Sequence, residues 1–288
     1  AISMAFDFEW SNKNLFYGQY TRNECYFDNN PEMKAQGIPQ GEVKTILTKL
    51  REKYKQYVPK TAISKPVGAP GQGQSATKNN NIANALLDSA GWKIGADGIR
   101  TKGNQRLQFE LLLAGPGFQR IAEPYKNNLK KIGVGLDIKV VQVAEYEERL
   151  RNFKFGMIVA NYPQSRSPGN EQRYMWGSES AETPGTRNYM GIKNPALDEL
   201  IEGVIKAKTR KELIVQIHAL DRILTHQFYI VPHWYIAYDR AVYWNKFSRP
   251  KINPSQSNIA NNLLEWWWWD EQKVQKLKDA RSQGKSLQ

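Results

Sequence analysis

Small polar and aromatic side chains are concentrated in residues 162–194, a stretch without clear helix or strand periodicity. Hydroxyl, amide and guanidinium groups at this density can bond to the polar atoms of an extended ligand. Such partners are needed because each buried polar group left unsatisfied costs about 1–3 kcal/mol. Trp and Tyr rings add contact area at a low entropic cost. The side chains predicted to contact a ligand are Asn161, Tyr162, Ser165, Arg166, Ser167, Asn170, Glu171, Arg173, Trp176, Arg187, Asn188 and Tyr189.

Three of these residues, Arg166, Arg173 and Arg187, could hold a ligand carboxylate, because a guanidinium group donates two parallel hydrogen bonds to it. Two Pro-Gly pairs in the same stretch are typical of tight turns that expose backbone groups. The competing interpretation is that these are ordinary loop residues, which cap helices or pair with one another. The sequence leaves both interpretations open.

Other kinds of chemistry have little support in the sequence. His218, His226 and His233 have no acidic or cysteine partner at a metal-site interval. Structural roles are favoured for His226 and His233, which fall at a helix end and in a strand. No Gly-x-Ser-x-Gly motif occurs, and residues 68–73 lack the Lys-Ser/Thr ending of a phosphate-binding loop. A hydrolase would need a second carboxylate beside Glu171, and the sequence places none there. We therefore predict no enzyme, metal site or cofactor.

The elements that would position the polar stretch alternate between strand and helix. Strands are predicted over 107–113, 136–143 and 155–161, with helices over 117–132 and 144–153 between them. This order predicts an α/β fold with a largely parallel sheet. The polar stretch follows the third strand, and open α/β sheets bind ligands at the carboxyl ends of their strands.

The remaining segments are predicted from periodicity and from turn residues. Residues 65–81 are rich in Pro, Gly, Gln, Ser and Asn, which indicates an exposed linker. Thr209 and Glu212 form a capping box at the start of one helix. Residues 228–238 are predicted to form a buried strand, although Pro232 interrupts them. Helices are predicted over residues 2–18, 41–57, 81–90, 195–206 and 209–225.

Six segments carry a family resemblance that runs from about Phe6 to Asp270. They are ANALLDSAGWKIGADGIRTKG (83–103), LKKIGVGLDIKVVQVAEYEERLR (129–151), NPALDEL (194–200), DFEWSNKNLFYGQYTR (7–22), SPGNEQR (167–173) and ALDRILTHQFYIVPHWY (219–235). Together they resemble the family 5 solute-binding proteins of ABC peptide importers, in the YejA-like subgroup.

The resemblance implies a type II periplasmic-binding-protein-like lobe of the oligopeptide-binder type, with the amino-terminal lobe missing. Residues 1–225 would form the second lobe, and residues 226–288 a return segment toward the first lobe with a basic tail. The protein would be exported to the periplasm, although no signal peptide is seen in this chain. It would bind a peptide in an interlobe cleft for ABC permease subunits, with the amino-terminal portion of the same protein as a partner.

One position departs from the family pattern. Peptide binders of this family typically carry Ala-Asp-Tyr at the end of the third strand, where the Asp meets the ligand's α-amine. This chain has Ala160-Asn161-Tyr162, and an Asn side chain brings no negative charge. Glu171 is a candidate substitute, and an amine-blocked ligand is the alternative.

Charge and tryptophan content suggest the main alternative function. The net charge is +13, and four tryptophans adjoin at Trp266 to Trp269. Such residues could stack bases or lie at a membrane interface, so a basic nucleic-acid-binding protein is the second hypothesis. The basic residues are interspersed with acidic ones, which favours a solvated surface and no nucleic-acid partner. In an extended segment two of the four indoles would be buried, and packing across the lobe junction is the preferred role.

Overall fold

The computed structural model describes residues 1–238, 240–251 and 265–285. Contacts divide the chain into two units, residues 1–235 and 236–288. The helices of the first unit are α1 (Phe8–Leu15), α2 (Gly41–Lys53), α3 (Lys60–Ser64), α4 (Ala76–Ser89), α5 (Gln119–Lys131), α6 (Val143–Arg151), α7 (Glu171–Trp176), α8 (Pro195–Lys206) and α9 (Arg210–His226). Short 3-10 helices lie at Ile2–Ala5, Pro116–Phe118 and Ser178–Ala181.

Strands in the first unit are short apart from two. They are β1 (Thr21–Arg22), β2 (Lys93–Ile94), β3 (Arg100–Lys102), β4 (Gln105–Arg106), β5 (Gln108–Leu113), β6 (Gly135–Val140), β7 (Met157–Ile158) and β8 (Trp234–Tyr235). Strands β2, β3 and β4 form an antiparallel meander, and β1 pairs antiparallel with β8.

The predicted parallel sheet is confirmed. Its strand order is β6-β5-β7, and β5 pairs in parallel with both neighbours. Leu111, Leu112 and Leu113 of the central strand are buried, which fits a strand covered on both faces. Helix α5 packs against this sheet through Ile121 and Leu129. Strand β7 is shorter than the prediction for residues 155–161.

A second core forms around α2, α8 and α9, where apolar side chains at helical spacing face one another. Helix α8 has its predicted bounds, because Asn194 accepts the N–H groups of Ala196 and Leu197. Thr209 Oγ1 accepts the N–H of Glu212, as predicted for the start of α9. In a full capping box the Glu212 carboxylate would accept the N–H of Thr209. Here it accepts the N–H of Lys208, one residue before the cap.

Three predicted segments differ most from the structure. Residues 2–18 are not one helix, because the chain is extended at Phe6 and Asp7 caps α1. The exposed linker predicted over residues 65–81 ends early, since Ser75 caps α4, and Ala69 is buried. Residues 228–238 contain only the two-residue strand β8, and Phe228 is 59% exposed.

The second unit contains a short antiparallel pair, β9 (Phe247–Ser248) with β10 (Trp268–Trp269). Trp268 and Trp269 are both about half exposed, at 52% and 53%, so the predicted burial of alternate indoles is wrong. The ammonium group of Lys246 lies 5.0 Å from the ring of Trp269. Asp270 caps the helix Glu271–Ser282. Packing of the tryptophans across a lobe junction stays a prediction.

Candidate ligand-binding site

The predicted polar stretch begins at the carboxyl edge of the parallel sheet. Strand β7 ends at Ile158, and three residues later the chain reaches Asn161, which is exposed. Because β5, β6 and β7 run in parallel, their carboxyl ends lie at the same edge. We call residues 159–191 the ligand loop. It contains α7 and one 3-10 helix, so it is more ordered than its sequence indicated.

The base of the ligand loop is built on Trp176, whose side chain is fully buried. The rings of Trp176 and Tyr26 meet edge to face, with their centroids 5.1 Å apart. The ring of Tyr162 also packs against the Trp176 indole, at a centroid distance of 4.7 Å. The indole Nε1 donates to Gln172 Oε1 over 2.8 Å. Trp176 therefore joins the start of the loop to the helical core.

Asn188 fixes the second half of the loop from inside. Its side-chain Nδ2 donates to the carbonyls of Gly177 (3.0 Å) and Ile192 (2.9 Å), and its Oδ1 accepts the N–H of Ile192 (2.8 Å). The side chain is fully buried and its donors and acceptor are used. Asn188 and Trp176 thus hold the loop in place and offer a ligand no exposed surface here.

Glu171 and its neighbours form a hydrogen-bonded turn. Glu171 Oε1 accepts the N–H of Gly169 at 2.9 Å and one Nε2–H of Gln172 at 3.2 Å. Gln172 also donates to Gln164 Oε1 at 2.8 Å. One carboxylate oxygen of Glu171 is therefore already engaged within the loop.

Arg187 connects the strand end to the rest of the loop. Its guanidinium donates to the backbone carbonyl of Asn161 and lies 5.6 Å from the centre of the Tyr162 ring. Tyr162 in turn donates its hydroxyl to the Arg187 carbonyl over 3.2 Å. Burial raises the pKa of the Tyr162 phenol, which stays neutral at physiological pH.

The three predicted carboxylate-binding arginines have separate partners. Arg173 donates from Nε to Glu202 at 2.8 Å and from Nη1 to Asn170 at 3.1 Å, and this bonding lowers the pKa of Glu202. Arg187 holds Asn161 as described. Arg166 is the exposed member of the three whose side chain makes no hydrogen bond to a described residue, although its charge helps to lower the pKa of Glu32.

Ser165 and Ser167 lie on the exposed part of the loop. The Ser165 hydroxyl accepts the N–H of Ser167 at 3.2 Å. Arg210, at the start of α9, donates to Ser167 Oγ at 3.3 Å and to the carbonyl of Arg166. The loop tip is therefore tied to α9.

An open polar groove adjoins the ligand loop on the side of α6. Its volume is about 420 Å³, within the range of small-molecule sites. Of the predicted residues only Tyr189 lines it. Helix α6 supplies most of the other lining. Its charged residues lie in the segment 129–151 that carries the family resemblance, but none of them was predicted to contact a ligand. The lining residues are Glu147, Glu148, Leu150, Arg151, Gly185, Thr186 and Tyr189.

Among the described residues no group of three or more His, Cys, Asp or Glu side chains is placed to hold a metal ion. His233 stacks on Trp234 at 4.9 Å and Phe6 at 4.7 Å, and burial lowers its pKa to about 4. Cys25 is buried, and burial raises the pKa of its thiol. None of the described helices is both long and apolar enough to cross a bilayer.

Comparison with known proteins identifies the family. The family model for bacterial extracellular solute-binding proteins, family 5 Middle, matches residues 1–184. The chain belongs to the family 5 solute-binding proteins. The predicted resemblance is thereby confirmed, including its YejA-like subgroup, which two relatives represent.

The first of these relatives is the probable peptide-binding protein YejA of Agrobacterium fabrum, 36% identical over 257 residues. That match covers 88% of this chain and 41% of the relative. The second is the uncharacterized protein YejA of Escherichia coli, 33% identical over 287 residues, covering 99% of this chain and 46% of the relative. The chain thus spans less than half the length of these relatives.

A solved structure supports the predicted fold class. The oligopeptide-binding protein of Thermus thermophilus, solved with a pentapeptide, superposes with a TM-score of 0.58 at 17% identity. The match covers 82% of this chain and 36% of that protein. The mixed helix and sheet architecture is therefore that of part of a type II binding-protein lobe.

Proposed function

We propose that this chain forms one wall of the ligand cleft of an ABC-importer binding protein, and that the ligand is a peptide. The observation that carries the proposal is the ligand loop at the carboxyl edge of the parallel sheet. Its base is buried through Trp176 and Asn188, while Asn161, Ser165 and Arg166 remain exposed. A rigid base with accessible polar groups is the arrangement that recognises a ligand with little ordering cost.

A peptide fits the chemistry of this surface. A peptide backbone offers alternating N–H and C=O groups, and the exposed loop offers amide, hydroxyl and guanidinium partners. The Arg166 side chain makes no hydrogen bond to a described residue, so its guanidinium can donate to a ligand carbonyl or carboxylate. The pentapeptide bound to the Thermus protein supports the same ligand class, as does the name of the Agrobacterium relative, a probable peptide-binding protein.

In the whole protein, a second lobe would cover the ligand loop, and the closed form would dock on an ABC permease. Ligand would shift the equilibrium between open and closed forms, because it contacts both walls only in the closed one. The family's extracellular character supports an exported, periplasmic protein. In this role the protein binds and releases its ligand without catalysis.

Calorimetric titration with a pool of tripeptides to pentapeptides tests the proposal. We expect saturable binding that Arg166→Ala weakens by about tenfold, the effect of one charge-assisted hydrogen bond. The control is Lys130→Ala, which removes one exposed positive charge at the far end of α5. Absence of binding, or equal losses in both variants, would contradict the proposed role of the loop.

A further inference from the structure

Two methionine sulfur atoms accept hydrogen bonds from side chains of the ligand loop. Met190 Sδ lies 3.2 Å from the hydroxyl oxygen of Tyr162, and Met175 Sδ lies 3.9 Å from Nε2 of Gln164. The two sulfur atoms differ in accessibility, because Met175 is only 5% exposed whereas Met190 is half-buried. Of this pair, Met190 is therefore the more accessible to small solutes.

The Tyr162 hydroxyl has a single proton and two neighbouring acceptors. The carbonyl oxygen of Arg187 and the sulfur of Met190 both lie 3.2 Å from the hydroxyl oxygen. The carbonyl is the stronger acceptor, because thioether sulfur accepts hydrogen bonds only weakly. The proton is therefore donated to the Arg187 carbonyl, and this bond joins the start of the ligand loop to its end.

Oxidation of Met190 would reverse the order of these two acceptors. Hydrogen peroxide transfers an oxygen atom to the sulfur: an S–O bond forms, the O–O bond breaks, and the peroxide takes an electron pair from the sulfur and leaves as water. The product is a sulfoxide, whose polar oxygen is a strong acceptor. It competes with the Arg187 carbonyl for the Tyr162 proton. It also places a polar group beside the apolar core against which Met190 packs.

We propose that Met190 is a redox-sensitive modification site, at which oxidation by peroxide to the sulfoxide loosens the ligand loop and weakens ligand binding. The weakening of binding rests on the proposed function, whereas the loosening of the loop does not. The effect reaches the recognition surface through Arg187, whose guanidinium donates to the carbonyl of the exposed Asn161. Loss of the bond between Tyr162 and Arg187 removes one of the contacts that hold this connection in place.

Hydrogen–deuterium exchange with mass spectrometry tests the loosening without any ligand. After treatment with dilute hydrogen peroxide, peptide mapping should find the sulfoxide at Met190 before it appears at the buried Met33 and Met175. Backbone amides of the ligand loop should then exchange about fivefold faster, the effect of one lost hydrogen bond. Met190→Leu keeps an apolar side chain that peroxide does not oxidise. Its loop should exchange at the same rate before and after treatment.

Binding of the pool of tripeptides to pentapeptides gives the second readout. We expect peroxide to raise Kd about fivefold in the unmodified protein, and methionine sulfoxide reductase to restore the original value. The matched control is Met4→Leu, which replaces another half-buried methionine, in the core beside the parallel sheet, and should stay sensitive to peroxide. Sensitivity that disappears in Met4→Leu, or that persists in Met190→Leu, would overturn the proposal.

The outcomes separate this inference from the function on which it rests. Equal peptide binding before and after oxidation of Met190 overturns the inference and leaves the proposed function intact. Faster exchange in the oxidised loop of a protein that binds no peptide supports the loosening and contradicts the proposed function. Unchanged exchange once the sulfoxide is mapped to Met190 overturns the inference, as does a Met190 that stays reduced while Met33 or Met175 is oxidised.

Discussion

Trp176 donates its indole N–H to Gln172 Oε1 over 2.8 Å, and both side chains are fully buried beneath the ligand loop. The two residues lie one turn apart in α7, so the bond fixes the orientation of the indole. Through Tyr162 the same indole supports the end of β7. The exposed recognition surface thus depends on a buried polar pair.

Replacement of Gln172 by Met should destabilise the protein by about 1–3 kcal/mol, because it leaves the indole N–H buried without an acceptor. Urea unfolding followed by tryptophan fluorescence measures the change. Trp176→Phe with Gln172→Met removes both polar partners, so the double variant should lose less than the two single changes combined. Strict additivity would show that the bond does not couple the two residues.

Gly177 ends α7 at a point where no side chain fits. An added Cβ would lie 2.6 Å from the carbonyl oxygen of Arg173. We expect Gly177→Ala to cost about 1–3 kcal/mol through overpacking. Gly169→Ala is the control in the same loop, since its Cβ would meet nothing nearer than 3.7 Å and should change stability by less than about 0.5 kcal/mol. Equal unfolding midpoints for the two variants would contradict this packing.

Asp221 joins α9 to the segment before α2. Its carboxylate accepts the N–H groups of Tyr26 (2.9 Å) and Ala35 (3.0 Å). Asp221→Asn retains one acceptor and turns an NH₂ toward the other N–H, which leaves a buried donor unsatisfied. We expect a loss of about 1–3 kcal/mol in chemical unfolding. Unchanged stability would show that these two bonds add nothing.

The buried His226 and the partly buried His233 should make the fold sensitive to acid. Burial lowers the pKa of His226 and His233 to about 4, so protonation favours the unfolded chain. The stability from their neutral forms is present above pH 6.5 and is lost as pH falls toward 4. Calorimetry should show Tm falling across this window, and His233→Phe should make the fall shallower. A Tm independent of pH would contradict this prediction.

Asp221 acts in the opposite direction over nearly the same window. Burial raises its pKa to about 6, so its contribution to stability is present below pH 3.8 and is lost as pH rises through 6. It therefore offsets part of the histidine effect. In Asp221→Asn the decline of Tm between pH 6 and 4 should be steeper than in the unmodified protein. A slope unchanged by the substitution would contradict the raised pKa.

The net charge of +13 is weak evidence for a nucleic-acid partner, because many of the basic side chains form ion pairs on the protein's own surface. Arg210 pairs with Glu32, and Lys53 pairs with Glu199 at 2.8 Å. We expect single-stranded DNA to bind weakly, as measured by fluorescence anisotropy. Tight binding that falls by orders of magnitude between low and moderate salt would indicate many phosphate contacts and would support the nucleic-acid alternative.

Periodicity was sufficient to predict the elements that carry the fold. The buried Leu-rich strand β5 and the apolar stripe of α5 have patterns typical of a parallel sheet covered by helices. The start of α9 was also predictable, because the Thr209 hydroxyl can accept the backbone N–H of Glu212, three residues further on. These signals are contained within one element or between adjacent ones.

The site was predictable only as a region. Trp176 and Asn188 lie in a stretch whose composition is typical of a solvated loop. Both are nevertheless buried, and Trp176 is covered by residues far away in the sequence such as Tyr26. The groove was missed because α6 and Gly185 are far apart in the chain and meet only in the fold. The apolar composition of residues 228–238 predicted a long buried strand. Only two of these residues pair with another strand, β1, so the strand is short.

Native mass spectrometry of the purified protein, without added ligand and then with a peptide pool, tests the central claim most directly. We expect adducts of peptide mass, which fragmentation resolves into amino-acid sequences. The Arg166→Ala protein should carry fewer of them. A protein that stays free of adducts in excess peptide, or that carries nucleotide masses instead, would contradict the assignment of this chain as a peptide-binding wall.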